Sequence, residues 1–280
     1  MSAAPARTRF LDLLDRYDAI LLDAYGVLVN LDGALPGAAN WIDELNRRGK
    51  EYWLVSNTAA RLPESAAARY QGFGLAIQAG RILSSGMLLS PCFASHGLVG
   101  KRIRLLGPAD SVRYAELAGG VVVGAGQDFD ALVVADQAGF DFVAVVDEVL
   151  SALFRKFDAG QRVPLILPNP DLVYPTGQGC GITSGAVALM IEAALQRRYP
   201  ERTDLRFVGL GKPHPDLFEE AMRRVGSRNV LMVGDQLETD ILGANRVGID
   251  SALVPGGITG DRFESADARP TYVLALPGEG

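Results

Sequence analysis

The chain has 280 residues, 48% of them hydrophobic, and a formal net charge of −6, which suits one large domain or two moderate ones with a substantial core. The acidic balance argues against a nucleic-acid-binding protein, which would normally carry a basic face. Two cysteines are too few for a disulfide framework or a metal cluster. No run reaches about 18 apolar residues and the N-terminus lacks an apolar signal core. We therefore expect no membrane association and a cytoplasmic location.

Apolar runs of strand length alternate with amphipathic stretches of helix length along most of the chain. The predicted strands are Tyr17–Leu22, Tyr52–Val55, Ile103–Leu106, Ala131–Val134, Val163–Leu167, Val230–Val233 and Ala252–Val254. The predicted helices are Ala38–Arg48, Pro63–Tyr70, Val145–Phe157, Ile182–Gln196, Pro215–Arg224 and Ile241–Val247. Short, fully apolar strands between helices are typical of a parallel sheet covered on both faces, so we predict an α/β fold with a doubly wound parallel sheet.

Polar residues follow several of these strands at the points where the strands end. In chain order they are Asp23, then Ser56 with Asn57, then Lys212 after a short strand around Val208, then Asp235 with Asp240. Open parallel sheets bind ligands beyond the carboxyl ends of their strands, so these side chains are expected to meet in one crevice. Any one of them could instead be an ordinary helix cap or turn former.

The set favours phosphoryl chemistry at a metal site. Three carboxylates in one crevice repel each other unless a cation lies among them. Oxygen ligands suit Mg²⁺, which also accepts a substrate phosphate as a ligand. Ser56 and Lys212 would supply a hydroxyl donor and a cation for phosphoryl oxygens, and Asp23 is able to act as a nucleophile.

The chain resembles the haloacid dehalogenase superfamily of hydrolases. Its four motifs occur in order as Asp23-Ala24-Tyr25-Gly26-Val27-Leu28, Val55-Ser56-Asn57, Gly211-Lys212-Pro213, and Gly234-Asp235 with Thr239-Asp240. Leu35-Pro36-Gly37-Ala38 and Asn169-Pro170-Asp171 followed by Pro175 are similar to signatures of its subclass IIA, the p-nitrophenylphosphatase and nucleotide phosphatase branch. The resemblance implies a core formed by residues 1–84 and 205–280 and an inserted α/β cap of the C2 type formed by residues 85–204.

The same resemblance implies a Mg²⁺-dependent phosphohydrolase that acts on a small phosphomonoester through an aspartyl-phosphate. Asp23 would be the nucleophile, and it would share the metal with the backbone carbonyl of Tyr25 and with Asp235. Asp240 would support the metal indirectly.

The remaining roles implied by the resemblance concern the substrate. Ser56, Asn57 and Lys212 would bind or neutralise the phosphoryl group. Asn169 and Asp171 lie in a turn-rich loop after a predicted strand of the cap; this loop is a candidate for facing the substrate from above, and a rigid surface turn is the alternative. Caps of this branch often contribute to dimers, so a homodimer is a further expectation.

Tyr25 departs from the pattern of the superfamily. Most of its phosphatases have a second aspartate here, which protonates the leaving oxygen and then activates water. Such general acid–base catalysis typically raises the reaction rate by about 10²–10⁴-fold. A phenol donates a proton weakly and is a poor base at neutral pH. Two alternatives therefore stay open: a catalytically weak protein that binds phosphate esters, and a dehalogenase, in which the aspartate attacks carbon without Mg²⁺. Asp235 and Asp240 oppose the dehalogenase because such enzymes are expected to lack this acidic pattern.

Overall fold

The computed structural model describes residues 5–176, 179–256, 258–260 and 262–275. Its strands are β1 (Ala6–Thr8), β2 (Ala19–Leu22), β3 (Glu51–Ser56), β4 (Ile82–Ser84), β5 (Arg102–Leu106), β6 (Val121–Val123), β7 (Ala131–Val134), β8 (Leu165–Leu167), β9 (Val173–Thr176), β10 (Gly179–Ile182), β11 (Phe207–Gly209), β12 (Val230–Gly234), β13 (Asp250–Leu253) and β14 (Tyr272–Leu274). Its α-helices are α1 (Ala38–Arg48), α2 (Pro63–Gly72), α3 (Leu89–Ser95), α4 (Ala109–Leu117), α5 (Phe142–Asp158), α6 (Ser184–Arg198), α7 (Pro215–Val225) and α8 (Leu242–Val247).

A seven-stranded sheet forms the larger layer, in the order β1-β14-β13-β12-β2-β3-β4, and all of its neighbouring strands are parallel. Alternate residues of the central strand β2 point to opposite faces. Leu21 packs in one apolar cluster with Phe218 of α7, while Ile20 and Leu22 pack in another with Ile42 of α1. Because both faces are covered by helices, the predicted doubly wound sheet is confirmed.

A second parallel sheet has five strands, in the order β11-β8-β7-β5-β6. On one face, Leu132 and Val134 of β7 pack with residues of α5 and α6. On the other face, Ala131 and Val133 join a cluster that includes Leu21 of the first sheet. One continuous apolar cluster therefore connects the two sheets. The antiparallel pair of β9 and β10 forms a separate two-stranded sheet.

The position of β11 differs from the sequence-based expectation. The predicted boundary at residue 204 assigns Phe207–Gly209 to the core, but β11 pairs with β8 in the second sheet. Sheet membership depends on pairing over long sequence separations, which a three-residue apolar run does not reveal. The division of the chain into a core and a cap stays a prediction, and we place its second boundary after Gly209.

The predicted elements form with their ends shifted by at most three residues, the largest shift being the start of α5 at Phe142 in place of Val145. The helix predicted from Ile182 begins at Ser184, because Ile182 pairs with Val173 as the last residue of β10. The short strands β1, β4, β6, β9, β10 and β14 and the helices α3 and α4 were not predicted. Among the described residues, no helix combines the length and apolar character needed to cross a membrane.

Candidate active site

The two central strands of the larger sheet end side by side and are each followed by an aspartate. Leu22 of β2 is paired with Val233 of β12, and the Asp23 backbone N–H donates a 2.9 Å hydrogen bond to the Val233 carbonyl. Asp235 follows the last residue of β12. Parallel strands that end together thus bring Asp23 and Asp235, 212 positions apart in sequence, to the same edge.

Asp240 completes a cluster of three buried carboxylates. Asp23, Asp235 and Asp240 each offer an oxygen, and these oxygens lie within 4.8 Å of one another. Asp240 belongs to a π-helical turn, Leu237–Ile241, that leads into α8, and its Oδ2 accepts a hydrogen bond from the Gln236 backbone. This turn directs Asp240 back towards the strand ends.

Lys212 lies between two of these carboxylates. Its Nζ is 2.5 Å from Asp23 Oδ1 and 2.7 Å from Asp240 Oδ1, and its side chain is only 3% exposed. Lys212 is contributed by the segment after β11, so the second sheet delivers the ammonium to the edge of the first. One cation does not balance three buried carboxylates.

The charges of the site are reflected in its pKa values. Burial raises the pKa of Asp23 to about 7, with Asp240 adding to the rise and Lys212 opposing it. Burial and the carboxylates of Asp23 and Asp240 hold the pKa of Asp235 well above its ordinary value. Burial alone would lower the pKa of Lys212, but Asp23, Asp240 and Asp171 outweigh it and raise that pKa. A second cation would relieve the remaining repulsion.

The donor set fits Mg²⁺. Asp235 Oδ1 is buried and has no hydrogen-bond partner among the described residues, while its Oδ2 accepts a bond from the Ile258 backbone. An unpaired buried carboxylate oxygen is costly unless an ion binds it. Hard oxygen ligands favour Mg²⁺ over softer transition metals. Asp23 and Asp235 are the side chains that would hold the ion.

We expect Mg²⁺ to stabilise the protein more at about pH 8 than at about pH 5. The folded-state pKa of Asp23 is raised, so its contribution to stability is greatest below the unfolded value of 3.8 and is lost as the pH rises through about 7. Bound Mg²⁺ restores that loss. A concentration 100-fold above Kd should add about 2.7 kcal/mol, or several degrees in Tm.

Differential scanning fluorimetry at the two pH values would measure this effect. Asp235→Asn should fold and lose the Mg²⁺ response at both values. An equal Tm gain for the unsubstituted protein at both pH values would contradict the expectation.

Asn57 connects the two sheets at the site. Its Nδ2 donates to the Lys212 carbonyl at 2.9 Å and to Asp171 Oδ1 at 2.8 Å, and its Oδ1 accepts from the Lys212 backbone at 2.6 Å. The carbonyl of Asn57 in turn accepts a bond from Ser85 Oγ. The predicted phosphate contact by Asn57 is not tested, but the structure gives its side chain a positioning role. Ser56, the last residue of β3, is 6% exposed and lines the cavity beside Asp23.

Tyr25 lines the same cavity as Asp23. Its ring is half-buried and meets the ring of Tyr174, from β9, edge to face with centroids 6.5 Å apart. The next residue, Gly26, has φ +87°, and a Cβ there would lie 2.2 Å from Asp235 Oδ2. A glycine is therefore required where the chain turns past Asp235. Ligation of a metal by the Tyr25 carbonyl stays a prediction.

A cavity of about 560 Å³ opens beside Asp23, and residues that follow strands of both sheets line it. All of the predicted catalytic and substrate-binding residues except Lys212 line it, namely Asp23, Tyr25, Ser56, Asn57, Asn169 and Asp171. Lys212 lies beneath, almost fully buried. The cavity thus joins residues from the end of β2, the end of β3 and the loop after β8.

Sequence reasoning missed three charged residues of the cavity wall, Arg61, Asp110 and Asp136. Asp136 follows β7, so the strand-end rule that identified Asp23 would also have found it. Arg61 lies five residues after Ser56 in the same loop. Asp110 is near the start of α4, a helix that was not predicted, and its Oδ2 accepts a bond from the Leu62 backbone.

Comparison with known proteins agrees with this geometry. A model of haloacid dehalogenase-like hydrolases matches residues 20–120, and a second model of such hydrolases matches residues 209–276. Chronophin from Homo sapiens is 31% identical over 275 residues, covering 92% of this chain and 86% of that protein.

Two solved structures are also similar. One, described as a "possible sugar phosphatase" of the HAD superfamily from Cytophaga hutchinsonii, has a TM-score of 0.81 and 33% identity, covering 97% of this chain and 98% of that one. The other, a glycerol phosphate phosphatase from Mycobacterium tuberculosis in complex with magnesium, has a TM-score of 0.74 and 25% identity, covering 93% of this chain and 75% of that one.

The fold and the cluster of three carboxylates at the strand edge are typical of a hydrolase with an inserted α/β segment. The chain belongs to the haloacid dehalogenase-like hydrolase family. It is a phosphatase of that family, and its carboxylate cluster fits the magnesium that the Mycobacterium tuberculosis relative binds. The resemblance found in the four motifs and in the subclass IIA signatures is thereby confirmed.

Proposed function

We propose that the protein hydrolyses small phosphomonoesters through an aspartyl-phosphate formed on Asp23. The observation that carries the proposal is the contact of Lys212 Nζ with Asp23 Oδ1 at 2.5 Å, where Asp23 lines the cavity and lies beside two further buried carboxylates. A buried carboxylate held by an ammonium is oriented and ready to attack an electrophile above it.

The described side chains would divide the reaction among them. Bound Mg²⁺ would supply positive charge next to the phosphoryl oxygens. Asp23 would attack phosphorus, forming an acyl phosphate as the ester bond breaks. Ser56 would donate a hydrogen bond to a phosphoryl oxygen, and Lys212 would stabilise the negative charge that builds up. Water would then attack the same phosphorus, release phosphate and regenerate Asp23.

The walls of the cavity favour a small polyhydroxylated leaving group. A volume of about 560 Å³ suits a ligand of metabolite size. Asp110 and Asp136 offer carboxylate acceptors for hydroxyl groups, and Arg61 offers donors. Burial raises the pKa of Asp136, and the positive charge of Arg61 opposes that rise. The similar structures described as sugar and glycerol phosphate phosphatases support this substrate class.

Phosphate release is the decisive assay. With p-nitrophenyl phosphate and a panel of sugar and polyol phosphates, we expect release that requires Mg²⁺ and stops in chelator. Polyol phosphates should show the higher kcat/KM. Failure to release phosphate from any ester with any divalent metal would refute the proposal, and halide release that persists in chelator would favour a dehalogenase.

Replacing Arg61 by Ala should raise KM for polyol phosphates by about 10–100-fold, because charge-assisted hydrogen bonds to the leaving group are lost. The change in kcat should be small, since these bonds exist before and during the reaction. The KM for p-nitrophenyl phosphate, which has no hydroxyl groups, should change less.

Arg113→Ala provides a matched control, since Arg113 pairs with Glu116 on the surface of α4. It should leave the KM for polyol phosphates unchanged. Equal KM values for Arg61→Ala and the unsubstituted protein would exclude Arg61 from substrate binding.

We also propose that the residues between 85 and 209 act as a cap over the site and that the protein forms a homodimer. The cavity lining from both sheets supports the first part. Analytical ultracentrifugation would test the second, and a monomer at micromolar concentration would contradict it.

A further inference from the structure

The position two residues after the nucleophile lacks a carboxyl group. Tyr25 occupies it, and an ordinary phenol with a pKa near 10 is a poor base at neutral pH. Hydrolysis of a phosphoester needs a proton for the leaving oxygen and then a base for the attacking water. A carboxyl group from elsewhere in the cavity would meet both needs.

Asp171 is the carboxylate that the loop after β8 brings to this cavity. Its Oδ1 accepts the 2.8 Å bond from Asn57 Nδ2, across a sequence separation of 114 residues. Among the described residues its side chain makes this one hydrogen bond, so Oδ2 is available to a ligand. Asn57 also holds the backbone of Lys212 and follows Ser56 directly. Asn57 therefore positions Asp171 as well as Lys212 and Ser56, the residues that would bind the phosphoryl group.

The backbone of Asp171 is held in place by the start of α6. Its N–H donates to Asn169 Oδ1 at 3.0 Å, and its carbonyl accepts bonds from the Gly185 N–H and from Thr183 Oγ1. A Cβ at Gly185 would lie 2.4 Å from that carbonyl, so the helix approaches as closely as a glycine allows. A catalytic group needs such a fixed position.

The charges around Asp171 allow it to exchange a proton near neutral pH. Burial raises its pKa to about 6, and the carboxylate of Asp240 adds to the rise. Lys212 and the hydrogen bond from Asn57 oppose it. Asp171 also interacts electrostatically with Asp23, because the charge of Asp171 contributes to the raised pKa of Asp23. A carboxyl group in this range can act as an acid in one step and as a base in the next.

We infer that Asp171 is the general acid–base of this phosphatase, supplied by the insertion in place of the carboxyl group missing at Tyr25. The inference rests on the proposed function. In the first step the Asp171 carboxyl would give its proton to the ester oxygen as the phosphorus–oxygen bond breaks and Asp23 becomes phosphorylated. In the second step the Asp171 carboxylate would take a proton from water as that water attacks phosphorus, which restores both aspartates.

A purely structural role for Asp171, as a latch between the insertion and Asn57, makes different predictions. Asp171→Asn separates the two roles, because an amide oxygen still accepts the bond from Asn57 Nδ2 but cannot carry the proton. Loss of a latch would mainly raise KM. Loss of the base would slow hydrolysis of the aspartyl-phosphate.

The test is rapid-mixing kinetics of Asp171→Asn with Mg²⁺. With p-nitrophenyl phosphate, whose leaving group needs little protonation, we expect a burst of about one p-nitrophenolate per enzyme and then turnover slowed by about 10²–10⁴-fold. Phosphorylated Asp23 should accumulate and be detected by mass spectrometry. With a polyol phosphate the burst should vanish, because its leaving oxygen needs the acid.

Two further variants complete the design. Asp136→Asn removes another carboxylate from the cavity wall and should produce no burst. Tyr25→Asp introduced into Asp171→Asn should restore turnover in part, since it returns a carboxyl group to the position after the nucleophile. The rate of the second step should fall as the pH drops through the pKa of Asp171 in the unsubstituted protein, and this dependence should be absent in Asp171→Asn.

The outcomes separate this inference from the proposed function. No phosphate release and no phosphorylated Asp23 in the unsubstituted protein would refute both. Turnover by the unsubstituted protein with an equal kcat in Asp171→Asn, whatever the change in KM, would overturn the role of Asp171 alone. A burst in Asp136→Asn equal to that in Asp171→Asn would overturn it as well.

Discussion

Asp23→Asn is expected to lower kcat for phosphate release by about 10⁴-fold or more while the protein remains folded, since losing a covalent nucleophile costs on this order. An amide of the same shape cannot attack phosphorus to form an acyl phosphate. Its oxygen can still accept the bond from Lys212 Nζ, which now lies 2.5 Å from Asp23 Oδ1. Removing one of three clustered carboxylates also lessens the repulsion at the strand edge.

Steady-state assays, thermal unfolding and mass spectrometry together would check this result. The variant should show an undiminished Tm and no phosphorylated species. Asp128→Asn is a matched control, because Asp128 also pairs with a lysine, Lys156, but on the surface of the insertion. It should leave kcat unchanged. Substantial turnover by Asp23→Asn would mean that another group attacks phosphorus.

Gly26→Ala is expected to abolish both the Mg²⁺ response and the activity. The added Cβ would lie 2.2 Å from Asp235 Oδ2, so the buried carboxylate would have to leave its position. An alanine at φ +87° also costs about 1–2 kcal/mol because of backbone strain. The Tm gain with Mg²⁺ and kcat would both be measured.

Gly74→Ala is a control that introduces the backbone strain of an alanine at positive φ without a steric clash. Gly74 has φ +82°, close to that of Gly26, but a Cβ there meets nothing within 4 Å. This variant should lower Tm modestly and keep the Mg²⁺ response and kcat of the unsubstituted protein. If Gly26→Ala behaved like Gly74→Ala, the close approach of the chain to Asp235 would have no part in metal binding.

Local pattern was sufficient to find the strand edge. The runs that end at Leu22 and Val233 are apolar throughout, as is typical of buried central strands. A carboxylate just after such a run is unusual for a core residue and therefore indicates a functional site. Adjacent parallel strands end at one edge, so Asp23 and Asp235 could be brought together by topology alone. The lysine at position 212 was identified by the same reasoning, although its strand was assigned to the wrong sheet.

Contacts that depend on long-range packing were beyond that reasoning. The bond between Asn57 and Asp171 joins the end of β3 to a loop of the insertion, and no periodicity encodes such a pair. The π-helical turn that directs Asp240 towards Lys212 also lacks a signature in the printed sequence. Asp136 is different, because it follows a strand that was predicted and would have been found by applying the strand-end rule to every strand.

The placement of β11 restricts how this protein could be recombined with its relatives. β11 completes the second sheet at Gly209, whereas Lys212 belongs to the chemistry at the first. A chimera that exchanges the insertion must therefore place its second junction between Gly209 and Lys212. A junction before β11 would leave the transplanted sheet without its own edge strand. A junction after Lys212 would replace the lysine that contacts Asp23 with the residue of the other parent.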